Sequence, residues 1–380
     1  MFQPLMIPMA PSPAEKLNLK GKLWPPKTEL VGLEFDLVAV EDCRLYSQYT
    51  IGLHAWFLQQ IQDFDPELSA HLHDSEQEKA FNLSGLSGQF TPHSRSLQLQ
   101  ANRTYQWHLN VFSQPAVKGL GRWLKRLPDT LTLRKAPLQI QQVRLALAPT
   151  TYKQLAQVDT GRNLSLSFVS PTSFRRKGHH LPLPWPTNVF HSYLRRWNSL
   201  AGEAVDPTEF LQWIDEGVII QRHHLQTQKI AAGKRGSVTG FTGAVTYGLS
   251  AKAAQHEAFQ QLFFTLGHFA PYCGTGHKTP FGLGQTRLGW RQAAPAAAAA
   301  PAQDTLAARI EELTELFFSQ KKRTGGDRAR HSAETWATVL ARRERGDSLQ
   351  AIAADLEIPY TTAKTYSKLA RRALRELGGG

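Results

Sequence analysis

The sequence predicts an α+β protein: two tandem ferredoxin-like (RRM-like) domains followed by a small all-α helix-turn-helix tail. Three observations carry this expectation. The element order β-α-β-β-α-β occurs twice before residue 291. An alanine- and proline-rich stretch follows it. Beyond that stretch only helical periodicity is found.

Residues 31–41, VGLEFDLVAVE, alternate apolar and polar and read as a strand. Residues 51–64 place Leu53, Phe57, Ile61 and Phe64 on one helical face. Strands near 80–91 and 104–112, a helix near 115–127 and a strand near 131–147 complete the first unit. From Asn163 the order restarts with the strand LSLSFVS and a helix near 187–199. Strands near 218–230 and 236–248, a helix near 254–267 and a last strand near 284–290 follow. The halves share element order, not sequence. The expected boundaries are an N-terminal extension 1–30, a first domain 31–150, a second domain 151–291, a linker 292–303 and a tail 304–380. In the linker, QAAPAAAAAPAQ, prolines punctuate an alanine run too short to nucleate a helix alone. The tail opens with a helix over 306–318 bearing Ile310, Leu313, Leu316 and Phe317. A break over 321–330 mixes glycine with like charges and is predicted to be flexible. Three helices are expected from Ala333 onward.

Charge narrows the partner. Among 380 residues, 44 Lys and Arg face 31 Asp and Glu, a net charge of +13 that favours phosphate backbones. The basic residues come in short bursts: Arg175, Arg176 and Lys177; Arg195 and Arg196; Lys229, Lys234 and Arg235; Lys321, Lys322 and Arg323. Phe174 and Trp197 stand beside two of them and offer faces for base stacking. A hydrophobic content of 41% with 19 phenylalanines rules out wholesale disorder. No apolar run approaches the roughly 20 residues that span a bilayer. The start, MFQPLMIPMAPS, is broken by proline and lacks a basic region, unlike a secretion signal. Two cysteines, Cys43 and Cys273, cannot form a zinc knuckle or a disulfide scaffold. A cytoplasmic protein with no cofactor, no metal and no membrane partner is expected.

The segment PYCGTGHKTPFGLGQTRLGW, 271–290, is the most distinctive in the chain. Gly274, Gly276, Gly282 and Gly284 permit positive φ and close approach of the backbone to a ligand. Successive amides in such a loop cradle phosphates, and Lys278 adds a fixed charge. It is no P-loop, and Thr279 stands where a dinucleotide fingerprint needs its third glycine. This G-x-G…T-x-x-G-x-G loop resembles that of the RAMP proteins, most closely the sixth CRISPR-associated (Cas) family of repeat-cutting endoribonucleases. Three stretches agree: SFVSPTSFRR at 167–176, KIAAGKRGSVTGFTGAVTYGL at 229–249, and DPELSAHLHDSEQEKAFNLSGL at 65–86.

The resemblance implies an active site in the first domain that needs no metal. The ribose 2′-OH attacks the adjacent phosphate, leaving a 2′,3′-cyclic phosphate and a 5′-OH. One group takes the 2′-OH proton, another protonates the leaving oxygen, and a cation offsets the developing charge. His73, in LHD, falls at the family's catalytic histidine; Asp65 and Pro66 would open its short helix. His54, on the preceding helix, is a second candidate, since some members carry a histidine there. Lys79 fits the lysine that some members use. The tyrosine position of that version falls near Phe57 and Leu58 and is empty, with Tyr46 and Tyr49 as weaker substitutes. Arg175, Arg176, Lys229, Lys234, Arg235, Lys278 and the four loop glycines are the expected RNA-binding set.

In the tail, SLQAIAADLEIPYTTAKTYSKLARRAL (348–374) resembles a helix-turn-helix of the sigma-factor region-four type. Ser348 caps its first helix, Ile352 and Leu356 are buried, and Ile358–Pro359 makes the turn. Tyr360, Thr361, Thr362, Lys364 and Thr365 would then face a major groove or a protein partner. The reading is a repeat-RNA endoribonuclease working with other CRISPR effector subunits. Its rivals are a non-catalytic RNA-binding subunit of an effector complex and a DNA-binding regulator acting through the tail.

Overall fold

The computed structural model describes residues 17–378 apart from 47, 74–77, 94–95, 135, 177–178, 203, 232–235, 292–299 and 320–326. The first unit runs β1 (Leu30–Ala39), β2 (Cys43–Leu45), α1 (Tyr49–Phe64), α2 (Pro66–His73) and β3 (Phe81–Leu83). It continues with β4 (Thr91–His93), β5 (Ser96–Leu99), β6 (Thr104–Val111), α3 (Gln114–Leu124), β7 (Thr130–Leu133) and β8 (Ala136–Thr150). The main sheet has the order β3-β6-β1-β8-β7, and every pair in it is antiparallel. The single strand expected over 131–147 is instead the hairpin β7–β8, because Arg134 turns the chain at φ 58°. Leu33, Phe35 and Leu37 of β1 alternate into a core with Trp107, Trp123, Phe57 and Phe81.

The second unit repeats the order: α4 (Tyr152–Leu155), β9 (Asn163–Thr172), β10 (Phe174–Arg176), β11 (His179–Leu181), α5 (Pro186–Leu200) and α6 (Pro207–Gly217). The long hairpin β12 (Val218–Ala231) and β13 (Ser237–Leu249) leads to α7 (Glu257–Cys273) and β14 (Thr286–Leu288). Its sheet, β12-β13-β9-β14, has the same strand sequence as the core of the first. Helix α6 was not expected; Asp206 caps it through Thr208 N at 2.8 Å, and Pro207 fits its first turn.

The two units share a buried seam. Asn110 Nδ2 donates to Asn82 Oδ1 at 3.1 Å and to Pro271 O at 3.0 Å, and Asn82 Nδ2 donates to Tyr272 O. Gln285 Nε2 donates to Asn82 Oδ1 (3.1 Å) and Leu83 O (2.7 Å). Each of these amides would cost free energy if buried alone, so the network fixes how β3 and β6 meet the end of α7.

The tail comprises α8 (Ala300–Ser319), α9 (Asp327–Glu344), α10 (Leu349–Leu356) and α11 (Tyr360–Gly378). Two expectations are corrected here. Residues 300–303, read as linker, open α8, because proline is tolerated where helix N–H groups lack partners anyway. Residues 327–330, read as flexible, open α9. The rest of the linker, 292–299, and most of the break lie outside the described residues. The tail also packs on the body: Ala231 of β12 joins the core of Leu306, Ile310, Leu313 and Phe317. Gly236 N donates to Thr338 Oγ1 at 3.0 Å, and Arg134 pairs with Asp355 and Asp347. Among the described residues no helix is long and apolar enough to cross a membrane.

Candidate active site

The glycine-rich segment begins where α7 ends. Gly274 adopts φ 70°, and its N–H closes on Ala270 O at 2.8 Å. From there the loop is stitched into its own domain. Thr275 N donates to Gly284 O (2.8 Å), His277 N to Ser173 O (3.1 Å) and Gly284 N to Pro171 O (3.1 Å). Gly276 N donates to Ser192 Oγ (2.9 Å) and Gln285 N to Ser170 Oγ (2.9 Å). The Thr275 hydroxyl bonds both Tyr193 and Thr286 at 2.6 Å.

These bonds correct one expectation about the glycines. The amides of Gly274, Thr275, Gly276, His277 and Gly284 are spent inside the protein and form no open phosphate cradle. The glycines are needed because protein backbone lies against them. An added Cβ would fall well inside 3.0 Å of Ser173 O at Gly276 and of Thr275 O at Gly284. At Gly282 (φ 88°) it would press on Thr50 Cγ2 and Gly85 N of the first unit, where Gly282 bridges Ser84.

That bridge positions the candidate chemistry. The turn Thr279–Phe281 lays Phe281 on the ring of His54, with centroids 4.3 Å apart and planes 27° apart. Phe81 of β3 stacks on the same imidazole at 5.9 Å. His54 is thus oriented by a residue from each unit, and its half-buried ring stands at the seam between them. The same turn borders a cleft of about 210 Å³ lined by Glu78, Lys79, Arg195, Arg196, His277, Lys278, Thr279 and Pro280. Lys278 holds φ 59°, a left-handed conformation rare for a lysine. Arg196 is only 4% exposed; it donates to Gly276 O (2.6 Å) and Ser192 Oγ (2.7 Å) and pairs with Glu78 at 3.5 Å. Glu78 also holds Arg195 at 2.6 Å. With Lys79, Lys278, Arg195 and Arg196 against Glu78, the cleft is cationic and suits a phosphodiester.

The expected catalytic residues are not equally placed. His54 stacks on Phe281 of the turn Thr279–Phe281, and Lys79 lines the cleft with Thr279 and Pro280 of that turn; His54 itself does not line the cleft. His73 ends α2, exposed, on a helix that packs against α1 and α3, and it does not line the cleft. Its helix opens as expected, Leu68 N donating to Asp65 Oδ1 at 3.0 Å. The substitute tyrosines are engaged elsewhere. Tyr49 is buried, accepts from Leu86 N at 3.0 Å, and burial pushes its hydroxyl up to about 12. Tyr46 lies under the Arg134 guanidinium, 3.5 Å from its ring centre.

Among the binding residues, Arg175 and Arg176 are exposed on β10, opposite His180 and His179. Lys229 pairs with Glu311 of α8, so its charge is already partnered inside the protein. Lys234 and Arg235 lie outside the described residues. In the tail, Tyr360, Thr361, Lys364 and Thr365 are exposed on α11, while Thr362 is half-buried. Sequence reasoning noted Arg195 and Arg196 only as a basic burst and missed Glu78 and His277. His277 stacks on His180 at 5.3 Å, its Nδ1 meeting Ser173 O at 2.8 Å. Burial, with Lys278 and Arg175 nearby, lowers both imidazoles to about 4, so both are neutral at physiological pH.

Comparison with known proteins finds matches over both units. Residues 35–149 match the CRISPR Cas6 N-terminal domain, and residues 166–286 match the CRISPR-associated endoribonuclease Cas6. Two curated Mycobacterium tuberculosis proteins, both named CRISPR-associated endoribonuclease Cas6, are 24% identical over 203 residues. The match spans 52% of this chain and 63% of theirs. Among solved structures, a Cas6 product complex is 25% identical with a TM-score of 0.54, covering 68% of this chain and 99% of that one. Thermus thermophilus Cas6, at 22% identity and a TM-score of 0.53, shares the fold over 69% of this chain and 98% of its own. With both family matches falling on the two units that carry the cleft, the chain belongs to the Cas6 family of CRISPR-associated endoribonucleases.

Proposed function

We propose that this protein binds CRISPR repeat RNA in the cytoplasm and cleaves it without a metal ion, delivering mature crRNA to other effector subunits. The observation that carries the reading is the stacking of His54 on Phe81 and Phe281, the latter from the turn that also lines a cationic cleft containing Lys79. In the proposed step a lone pair of the 2′-oxygen forms a bond to the adjacent phosphorus. The P–O5′ bond breaks, its electron pair leaving on O5′. One histidine accepts the 2′-OH proton and a second donor protonates O5′, giving a 2′,3′-cyclic phosphate and a 5′-OH. His54 takes one of these roles, and His73, a short way before Lys79 in the chain, takes the other. Lys79 offsets charge on the phosphate, each proton transfer being worth roughly 10²–10⁴-fold.

Arg195, Arg175, Arg176 and Lys278 bind the RNA backbone in this reading, and Arg196 holds the loop rather than the ligand. The test is single-turnover cleavage of a repeat RNA in EDTA, with the product ends identified. Cyclic phosphate ends at an undiminished rate support the reading. Binding without cleavage would instead make the chain a non-catalytic RNA-holding subunit, and cleavage abolished by EDTA would replace the mechanism.

A further inference from the structure

Neither family match extends past residue 286, so the four tail helices are not accounted for by the repeat-RNA reading. Their charges are sorted in an uneven way. Among the described residues of the tail most acidic side chains are paired: Glu311 to Lys229, Asp347 and Asp355 to Arg134 and the buried Arg342. Glu312 and Glu344 pair with Arg309, Glu315 with Arg330, and Glu376 with Arg372. On α11, apart from that Arg372–Glu376 pair, the basic residues are left over. Lys364, Lys368, Arg371 and Arg375 are exposed, and none of them makes an ion pair among the described residues.

Their spacing is helical, so they form one stripe along α11, continued at its start by Tyr360, Thr361 and Thr365. The other side of the helix buries Ala363, Ser367, Ala370 and Ala373 against the tail core. α10 packs beneath: Ser348 caps it through Ala351 N at 3.1 Å, and Glu357, at φ 52°, ends it. Ile352 and Leu356 then pack on Val339 of α9 and on Ile358 and Tyr366. The result is a helix-turn-helix whose second helix is held by its apolar side and offers a cationic outer side.

We propose that α11 is a docking face for B-form DNA, separate from the RNA cleft. Its exposed stripe meets phosphates through Lys368, Arg371 and Arg375. Tyr360, Thr361 and Lys364, at its start, reach base edges. DNA is favoured over an RNA stem by shape. An α-helix is roughly 10–12 Å across, and the B-form major groove is about 12 Å wide, whereas the A-form major groove is too deep and narrow to admit it. Because α8 and α9 are fastened to the hairpin β12–β13 and Arg134 ties the tail to the first unit, the two nucleic acids are held on one particle.

The test uses the full chain and a labelled DNA duplex of mixed sequence, with binding followed by fluorescence anisotropy between about 50 and 200 mM salt. Combining Lys364→Gln, Lys368→Gln, Arg371→Gln and Arg375→Gln is expected to weaken binding at least tenfold. The salt slope should fall by about 0.9 for each phosphate that the variant no longer neutralises. The double variant Lys368→Gln, Arg371→Gln, milder for folding, should fall between it and wild type. A double variant of the body, Arg175→Gln, Lys278→Gln, should keep DNA affinity within about twofold while losing RNA affinity. Three results would overturn the proposal: unchanged DNA binding in the α11 variants, an equal loss in the body variant, or equal affinity for an RNA duplex of the same sequence.

Discussion

Replacing Gly276 by alanine separates two reasons for a glycine, because Gly289 offers a matched control. Both have positive φ, 75° and 87°, but nothing lies within 4 Å of a Cβ at Gly289, whereas Ser173 O blocks one at Gly276. The left-handed conformation costs an alanine about 1–2 kcal/mol, and the stiffer unfolded chain returns about 0.4–1 kcal/mol. Gly289→Ala should therefore destabilise by at most about 1.6 kcal/mol. At Gly276 the methyl must push the loop away from Ser173, straining the bonds Arg196 Nη2 to Gly276 O (2.6 Å) and Gly276 N to Ser192 Oγ (2.9 Å). A bond from a charged donor contributes about 1.5–3 kcal/mol and a neutral one about 0.5–1.5 kcal/mol. Gly276→Ala should then destabilise by about 3–5 kcal/mol in equilibrium urea unfolding. It should also weaken RNA binding, since Arg196 and Glu78 together hold Arg195 in the cleft. Unfolding free energies of the two variants that agree within about 0.5 kcal/mol would refute the close-approach explanation.

His54→Ala should slow single-turnover cleavage by about 10²-fold or more with RNA affinity nearly unchanged, and a rate equal to wild type removes His54 from the mechanism. His73→Ala, measured alongside it, should show a comparable rate loss; an unchanged rate would leave His73 as a solvated helix end. The folded protein keeps His277 neutral down to about 4, whereas the unfolded chain protonates it below about 6.5. Between these values the unfolded state binds more protons, so stability should fall as pH drops from about 6.5 towards 4. His277→Gln should flatten that fall in urea titrations across the range, leaving the share of His180, and an unaltered pH profile counts against it. Arg342, 1% exposed, bonds Asp347 and Asp355 at 2.7 Å each. Arg342→Ala should cost about 3–5 kcal/mol in equilibrium urea unfolding, and a loss below about 1 kcal/mol would show the carboxylates finding water instead.

The element order was legible from the sequence because period-two alternation in VGLEFDLVAVE and the 3.6-residue stripe of Leu53, Phe57 and Ile61 are local consequences of burying one face. The loop motif pointed to the family for a similar reason: glycine is strongly favoured, position by position, where φ is positive, as at Gly274, Gly276, Gly282 and Gly284. What glycine was for was not legible. Gly276 faces Ser173, and that neighbour is set by how the end of β9 passes the loop, a long-range pairing with no local sequence signature. The same limit hid the cleft. Glu78 and Arg195 are far apart in the chain, and only the packing of α5 beside the segment before β3 lets one carboxylate hold two guanidinium groups.

The tail shows the division most plainly. Its helices, Ser348 cap and turn followed from sequence, because capping and amphipathic spacing act over a few residues. That Glu311 would neutralise Lys229, and that Arg134 would reach Asp355, depended on two surfaces meeting in three dimensions. Sequence sets which residues carry charge; the tertiary structure decides which charges are spent on the protein itself and which stay exposed for a nucleic acid, because a Coulombic partner is chosen by distance in space and not along the chain.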